Sequence, residues 1–309
     1  MSLLALNIFG VRKDMDRKHK EKMIKMTFLV TASSSILILF LIMIFLFMEG
    51  LPIFKEYPVF KFLFGNEWYP TADPPDFGIF PLLIGSVLVT AASSAIAIPL
   101  GVMTAIYLAE IATPRVRGIV KPVVELLAAL PSVVIGFFGM VLVAPYLQEV
   151  LDVATGLNLF NAALMLAFMS VPTICSISED AIFSVPAELK EASLALGATH
   201  WETIFKVVLP ASLSGISTAI ILGMSRAIGE TMVVLMVAGG AAMVPGSLFD
   251  PVRPMPASIA AEMAEAPFRG DHYYALFATG IVLFMFTMLF NILADYVAEK
   301  HKQVGAATL

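Results

Sequence analysis

Apolar residues gather into six long runs, at about residues 26–48, 80–108, 120–146, 161–178, 211–240 and 274–298. A helix needs about 20 such residues to cross a hydrocarbon core of roughly 30 Å. The pattern therefore predicts an all-α membrane protein with six transmembrane helices. Several runs exceed the minimum, so tilted or kinked spans are expected. Pro99, Pro131 and Pro172 fall inside runs, either as kink sites or as prolines tolerated where neighbouring groups satisfy the freed carbonyls. The first run is too long for the apolar core of a signal peptide and lacks a small-x-small cleavage site at its end. It is expected to remain as an uncleaved first span.

Composition agrees with a polytopic chain. Apolar residues make up 59% and charged residues only 14% of 309, where a soluble domain carries about a quarter charged residues. The net charge of −5 says little, because charge is segregated by loop. A single cysteine excludes a disulfide within the monomer, and Cys175, inside an apolar run, is expected to pack between helices. No basic surface suited to nucleic acid is present. The tail before residue 26 and the alternate segments 109–121, 179–210 and 299–309 hold fourteen Lys/Arg, against four in the opposite set of loops. This bias predicts both termini in the cytoplasm. The expected organisation is a basic tail (1–25), a first span (26–48), an extracytoplasmic loop (49–79), a core of five spans (80–298) and a short tail (299–309).

A polar, helix-forming insert between spans, 184–210, lies on the basic side. Ser184 is placed to cap a helix with Pro186 in its first turn, and Glu188 and Glu191 stand near its positive end. Leu189, Ala192, Ser193 and Leu196 share one face by helical spacing. Gly197 suits a left-handed stop, and Thr199-His200-Trp201-Glu202 reads as a capping box opening a second helix. That helix is expected to end or bend at Pro210. Helix, glycine turn and helix joined to a span form a unit able to transmit force.

The fifth run contains Ser225-Arg226-Ala227-Ile228-Gly229-Glu230-Thr231. Arginine in hydrocarbon costs about 2.5–3.5 kcal/mol on insertion scales, so Arg226 is not expected to face lipid. On a continuous helix, Arg226 and Glu230 share a face and either bond each other or hold one ligand between them. Arg226 would stand about 24 Å beyond Pro210. Gly223 and Gly229 permit close approach of a helix or substrate. A guanidinium suits phosphate-like oxyanions, and a neighbouring carboxylate can accept the proton that phosphate retains. The alternative is an ion pair that only locks helices. Lys121 and Glu125 are expected to form an interfacial pair, and Glu179 and Asp180 to mark the boundary with water. His19, His200, His272 and His301 lack metal-ligand spacing, and no nucleotide loop, nucleophile elbow or zinc motif occurs.

The segment Glu191-Ala192-Ser193-x3-Gly197-x9-Val207-Val208-Leu209-Pro210 resembles the EAA loop of ABC-transporter permeases, E-A-A-x3-G-x9-I-x-L-P, with Ser193 for Ala and Val207 for Ile. Arg226-Ala-Ile-Gly-Glu230-Thr-Met232 is similar to the motif of bacterial phosphate-specific permeases. Asn66-Glu67-Trp68-Tyr69-Pro70 and Phe80-Pro81-Leu82-Leu83-Ile84-Gly85-Ser86 resemble their PstC-type subunit. The resemblance covers about residues 20–300 and implies a type I importer permease. Its implied partners are a second permease of PstA type, two ATP-binding subunits and an extracytoplasmic phosphate-binding protein. It implies that Ser225, Arg226, Glu230 and Thr231 line the substrate pathway, and that Glu188, Glu191, Ala192 and Gly197 couple to the ATPase. No cofactor is expected in the chain itself, since ATP and Mg would be bound by the partner. A sulfate, molybdate or phosphonate importer is the nearer alternative. An ion-coupled secondary transporter, with Arg226 and Glu230 as relay, is the more distant one and leaves 187–210 unexplained.

Overall fold

A computed structural model describes the backbone of residues 2–301 and the side chains of residues 20–296. The chain divides into two units, Met1–Glu49 and Gly50–Leu309. Among the described residues, six helices are long and apolar enough to cross a membrane: Lys20–Lys55, Phe80–Ile111, Ser132–Leu151, Leu159–Phe183, His200–Ile228 and Asp271–Tyr296.

The first unit is one helix, α1 (Ser2–Gly50, whose last residue opens the second unit). Thr27, Thr31, Ser34 and Ser35 return their hydroxyls to carbonyls three or four residues earlier. Those groups therefore make no demand on a lipid-facing surface.

The second unit opens with α2 (Val59–Phe64) and a hairpin of β1 (Trp68–Tyr69) and β2 (Asp76–Phe77), paired antiparallel with Trp68 opposite Phe77. Then follow α3 (Phe80–Ile106), α4 (Pro114–Ala128), α5 (Ser132–Phe138), α6 (Ala144–Leu151) and α7 (Leu159–Phe183). The 184–210 insert contributes α8 (Ala187–Ala195) and α9 (His200–Thr203). The remainder is α10 (Leu209–Ile228), α11 (Met232–Val237), α12 (Met255–Glu262) and α13 (Asp271–His301).

Two spans differ from the sequence expectation. The third is not 120–146: α4 stands apart, and the span runs from Ser132 to Leu151. Pro131 is extended at φ −61°, ψ 135° and caps the start of α5; α4 has already ended at Ala128, as proline disfavours α geometry in the residue before it. The fifth does not run to 240. It ends at Ile228, and α11 begins anew after Gly229–Thr231. Pro99 and Pro172 lie inside continuous helices.

Among the described residues, three wide π turns occur, at Tyr107–Ile111, Gly139–Val143 and Ile204–Val208. Each is followed within three residues by a proline: Pro114, Pro145 and Pro210. Proline donates no N–H and crowds the carbonyl four residues back, and at Pro145 and Pro210 the wider turn relieves both, whereas before Pro114 the helix ends, with Ala112 and Thr113 extended. At Pro210 the path therefore continues from α9 into α10 through a π turn.

The core is the packing of α3 and α10 on α7. Ile174 of α7 is its wedge. A Cβ on Gly101 of α3 would lie 2.8 Å from Ile174, and one on Gly223 of α10 would lie 2.5 Å from it. Only glycine lets both backbones close on that side chain. Cys175 is buried beside it, as the apolar run implied.

The hairpin carries a titratable anchor. Tyr57 Oη donates to Asp76 Oδ1, and Lys61 Nζ lies 3.0 Å from Oδ2. Partial burial pushes the Asp76 carboxyl up, but the bonds from Tyr57 and Lys61 outweigh it and hold its pKa below the usual value. A depressed carboxyl stabilises the fold above its unfolded pKa, and that contribution is lost as pH falls through the folded value. Trp68 emission, in a Trp201→Phe background, is expected to hold steady from neutral pH and shift red only below about pH 4. Asp76→Asn should show the red-shifted emission already at neutral pH. An unshifted spectrum in that variant would remove Asp76 from this role.

Candidate functional site

Arg226 lies in the last turn of α10, where the helix dipole favours a cation. Its Nη1 donates to Thr173 Oγ1 of α7 at 3.4 Å, and its side chain is exposed. Glu230 does not share its helix. Gly229 caps α10, and Glu230 lies beyond, its Oε1 accepting from the backbone N–H of Val233 at 3.3 Å. The carboxylate thus serves the start of α11. The expected Arg226–Glu230 pair on one helical face is not formed, because the helix ends between them. Among the described residues, no carboxylate lies within ion-pair distance of Arg226.

Ser225 Oγ donates to Asn291 Oδ1 of α13, and Thr231 Oγ1 donates to the Gly229 carbonyl at 3.4 Å. Three helices therefore meet around the end of α10: α7 through Thr173, α13 through Asn291 and α10 through Ser225 and Arg226. Sequence reading passed over Thr173 and Asn291. Asn291 carried a usable signal, being a polar residue inside the last apolar run.

At the end of the bundle bearing α8 and α9, Gly197 has φ +88° and turns the chain between them. Thr199 and Glu202 form the expected reciprocal capping box. The start of α8 differs from expectation: Pro186 occupies the cap position, and Ser184 Oγ donates to the Ala181 carbonyl instead. Pro186 fixes the entry angle without a side-chain cap. No residue of α8 is buried. Leu189, Leu194 and Leu196 are exposed, as are Trp201 and Phe205, whose rings stack at 6.3 Å. Glu188 and Glu191 stand on the same solvent-facing helix.

Below this insert lies a charge cluster that spacing along one helix did not reveal. Lys121 bonds Glu179 and Asp180 of α7, where a pair with Glu125 was expected. Glu179 is 1% exposed, not a marker of the water boundary, and also accepts from Arg117. Partial burial works against the Lys121 charge, yet Asp180 and Glu179 more than offset it and raise its pKa. Cations four apart on α4 fit one acid on α7, a tertiary match that hydropathy does not register.

At the opposite end, Glu262 of α12 gathers Trp68 Nε1, Arg253 Nη1, Ser258 Oγ and His272 Nε2. Arg253 Nε also donates to the Gly240 carbonyl at 2.6 Å. This hub ties the hairpin, the segment after α11 and the start of α13 together. It holds the far side of the break that follows Arg226.

Residues 97–303 match the family model described as "Binding-protein-dependent transport system inner membrane component". The chain belongs to this family. Among the permease relatives, the Bacillus subtilis "Probable ABC transporter permease protein YqgH" is 39% identical over 84% of this chain and 85% of its own length. The "Phosphate transport system permease protein PstC" of Mesorhizobium japonicum is 35% identical over 78% of this chain and 79% of its own. That of Pasteurella multocida is 35% identical over 74% and 76%. The permease of a bacterial alginate ABC transporter, solved with its alginate-bound periplasmic protein, superposes with TM-score 0.63 at 17% identity. The match covers 91% of this chain and 98% of that one. A chain of the MetNI methionine ABC transporter gives TM-score 0.55 at 20% identity over 73% and 95%. Both are likenesses of fold. The PstC-type resemblance and the importer permease fold read from the sequence are therefore borne out.

Proposed function

We propose that this permease forms half of the translocation pathway of an ATP-driven importer of inorganic phosphate. Both termini lie in the cytoplasm, and the 184–210 loop docks on the ATPase. The observation that carries the reading is Arg226: a guanidinium at the end of a membrane span, with one long bond to Thr173 and, among the described residues, no carboxylate to neutralise it. A charge held in that setting at such cost calls for an anion. Ser225 and Thr231 flank it, and Glu230 keeps one oxygen beyond its bond to Val233 for the proton of a phosphate. The phosphate permeases among the relatives support the same cargo.

The remaining parts follow from the machine. A PstA-type permease completes the pathway, and a phosphate-binding protein delivers substrate to the Glu262 end. Two ATP-binding subunits, which hold ATP and Mg, engage Glu188, Glu191 and the exposed leucines of the loop. The permease itself performs no hydrolysis.

The test is uptake of labelled phosphate into liposomes containing all four components, with sulfate and molybdate as competitors. ATP-dependent uptake that resists both is expected. Loss to either competitor would change the cargo, and uptake without ATP would overturn the coupling. Glu191→Lys should weaken ATPase retention on the purified permease pair while leaving the pair intact; unchanged retention would remove Glu191 from the docking face.

A further inference from the structure

The loop helix α8 rests on the bundle lightly, for none of its residues is buried. Ser193 Oγ lies 3.0 Å from Thr203 Oγ1, a contact that stays within the loop by joining α8 to α9. Lys190 Nζ instead leaves the loop and meets Glu110 Oε1 at 2.5 Å, 80 residues earlier. The Glu110 side chain is 6% exposed and that of Lys190 25%. Glu110 stands in the π turn Tyr107–Ile111 that extends α3. A carboxylate so enclosed is strongly disfavoured without its counter-charge, and this holds the pair closed.

We propose that Lys190–Glu110 is the strut through which movement of α8 is passed into α3. The inference rests on the coupling reading above and adds its route into the membrane. The loop is joined covalently at both ends, to α7 through Ser184–Pro186 and to α10 through α9 and the π turn Ile204–Val208. The ion pair adds a third link, into the π turn at the end of α3. The α10 arm and the ion pair both end on wide turns, whose backbone admits local adjustment more readily than regular α-helix. These two arms then converge, because α3 and α10 each close on Ile174 of α7. An α8 held only by its covalent ends could tilt between Pro186 and Gly197 without a charged hold on α3. The strut removes that freedom. Lys190 and Glu110 are positioning residues: their role concerns motion, with no contact to phosphate or nucleotide.

The experiment uses the complete importer in liposomes. Glu110→Gln preserves shape and removes the charge. Phosphate moved per ATP hydrolysed is expected to fall about tenfold, as is stimulation of the ATPase by loaded binding protein. Assembly and unstimulated ATP hydrolysis should stay within about twofold of the parent. The charge-reversed pair, Glu110→Lys with Lys190→Glu, should regain most of the lost coupling. A Glu110→Gln importer that couples like the parent overturns the strut. So does a reversed pair as poorly coupled as the single variant. If Glu110→Gln fails to assemble, the reversed pair decides alone on the same terms. A parent importer that does not link ATP to uptake would instead remove the coupling reading itself, before any variant is compared.

Discussion

Arg226→Gln is expected to lower ATP-driven phosphate uptake by about a hundredfold or more, the scale of losing one charged partner from a desolvated oxyanion contact. The complex should still assemble. The Arg226 guanidinium makes one 3.4 Å bond to Thr173 and lies on an exposed face of α10, so little of the fold depends on it. Arg226→Lys keeps the charge but loses the planar fork, and should fall between the two. The measurement is initial uptake rate at saturating ATP, beside the yield of assembled complex. Normal uptake in Arg226→Gln would end the substrate role. A loss of yield matching the loss of uptake would make Arg226 a packing residue.

The largest stability loss is expected where charge is most enclosed. In the Arg117→Met, Lys121→Met double variant, Glu179 keeps its 1% exposure and loses both counter-charges. Stranding one side of a buried ion pair costs about 3–5 kcal/mol. Glu179→Gln should cost less. It leaves two cations whose side chains are 26% and 28% exposed, and Arg117 still lies over the Phe183 ring at 4.0 Å. Reversible unfolding in mixed micelles separates the cases. Equal losses for both variants would show that Glu179 is not the enclosed partner.

The sequence and the structure agree best where a feature is local or simply long. Six runs of apolar residues identify six spans, and Gly197 and Thr199–Glu202 declare their turn and cap by near-neighbour chemistry. The third and fifth spans were misplaced because hydropathy continues across Pro131 and Gly229, while backbone geometry does not. The same oversight put Arg226 and Glu230 on one helical face. Both residues were visible as charges in an apolar run, but their relation depended on where the helix ended. Glu179, Glu110 and Glu262 were missed as anchors because most of their partners come from other elements of the fold, as far as 62, 80 and 194 residues away. Spacing within one helix cannot express such pairs. The family motif, more than local chemistry, is what pointed to phosphate as the cargo proposed for Arg226.

Ile174 has a consequence for how this permease changes state. A branched side chain clamped between the backbones of Gly101 and Gly223 cannot change rotamer unless α3 and α10 part from α7. We expect the three helices to travel as one block, with the helix breaks at Pro131 and Gly229–Thr231 among its flexible margins. The second break lies just beyond Arg226, so movement of such a block would swing the arginine relative to Glu230.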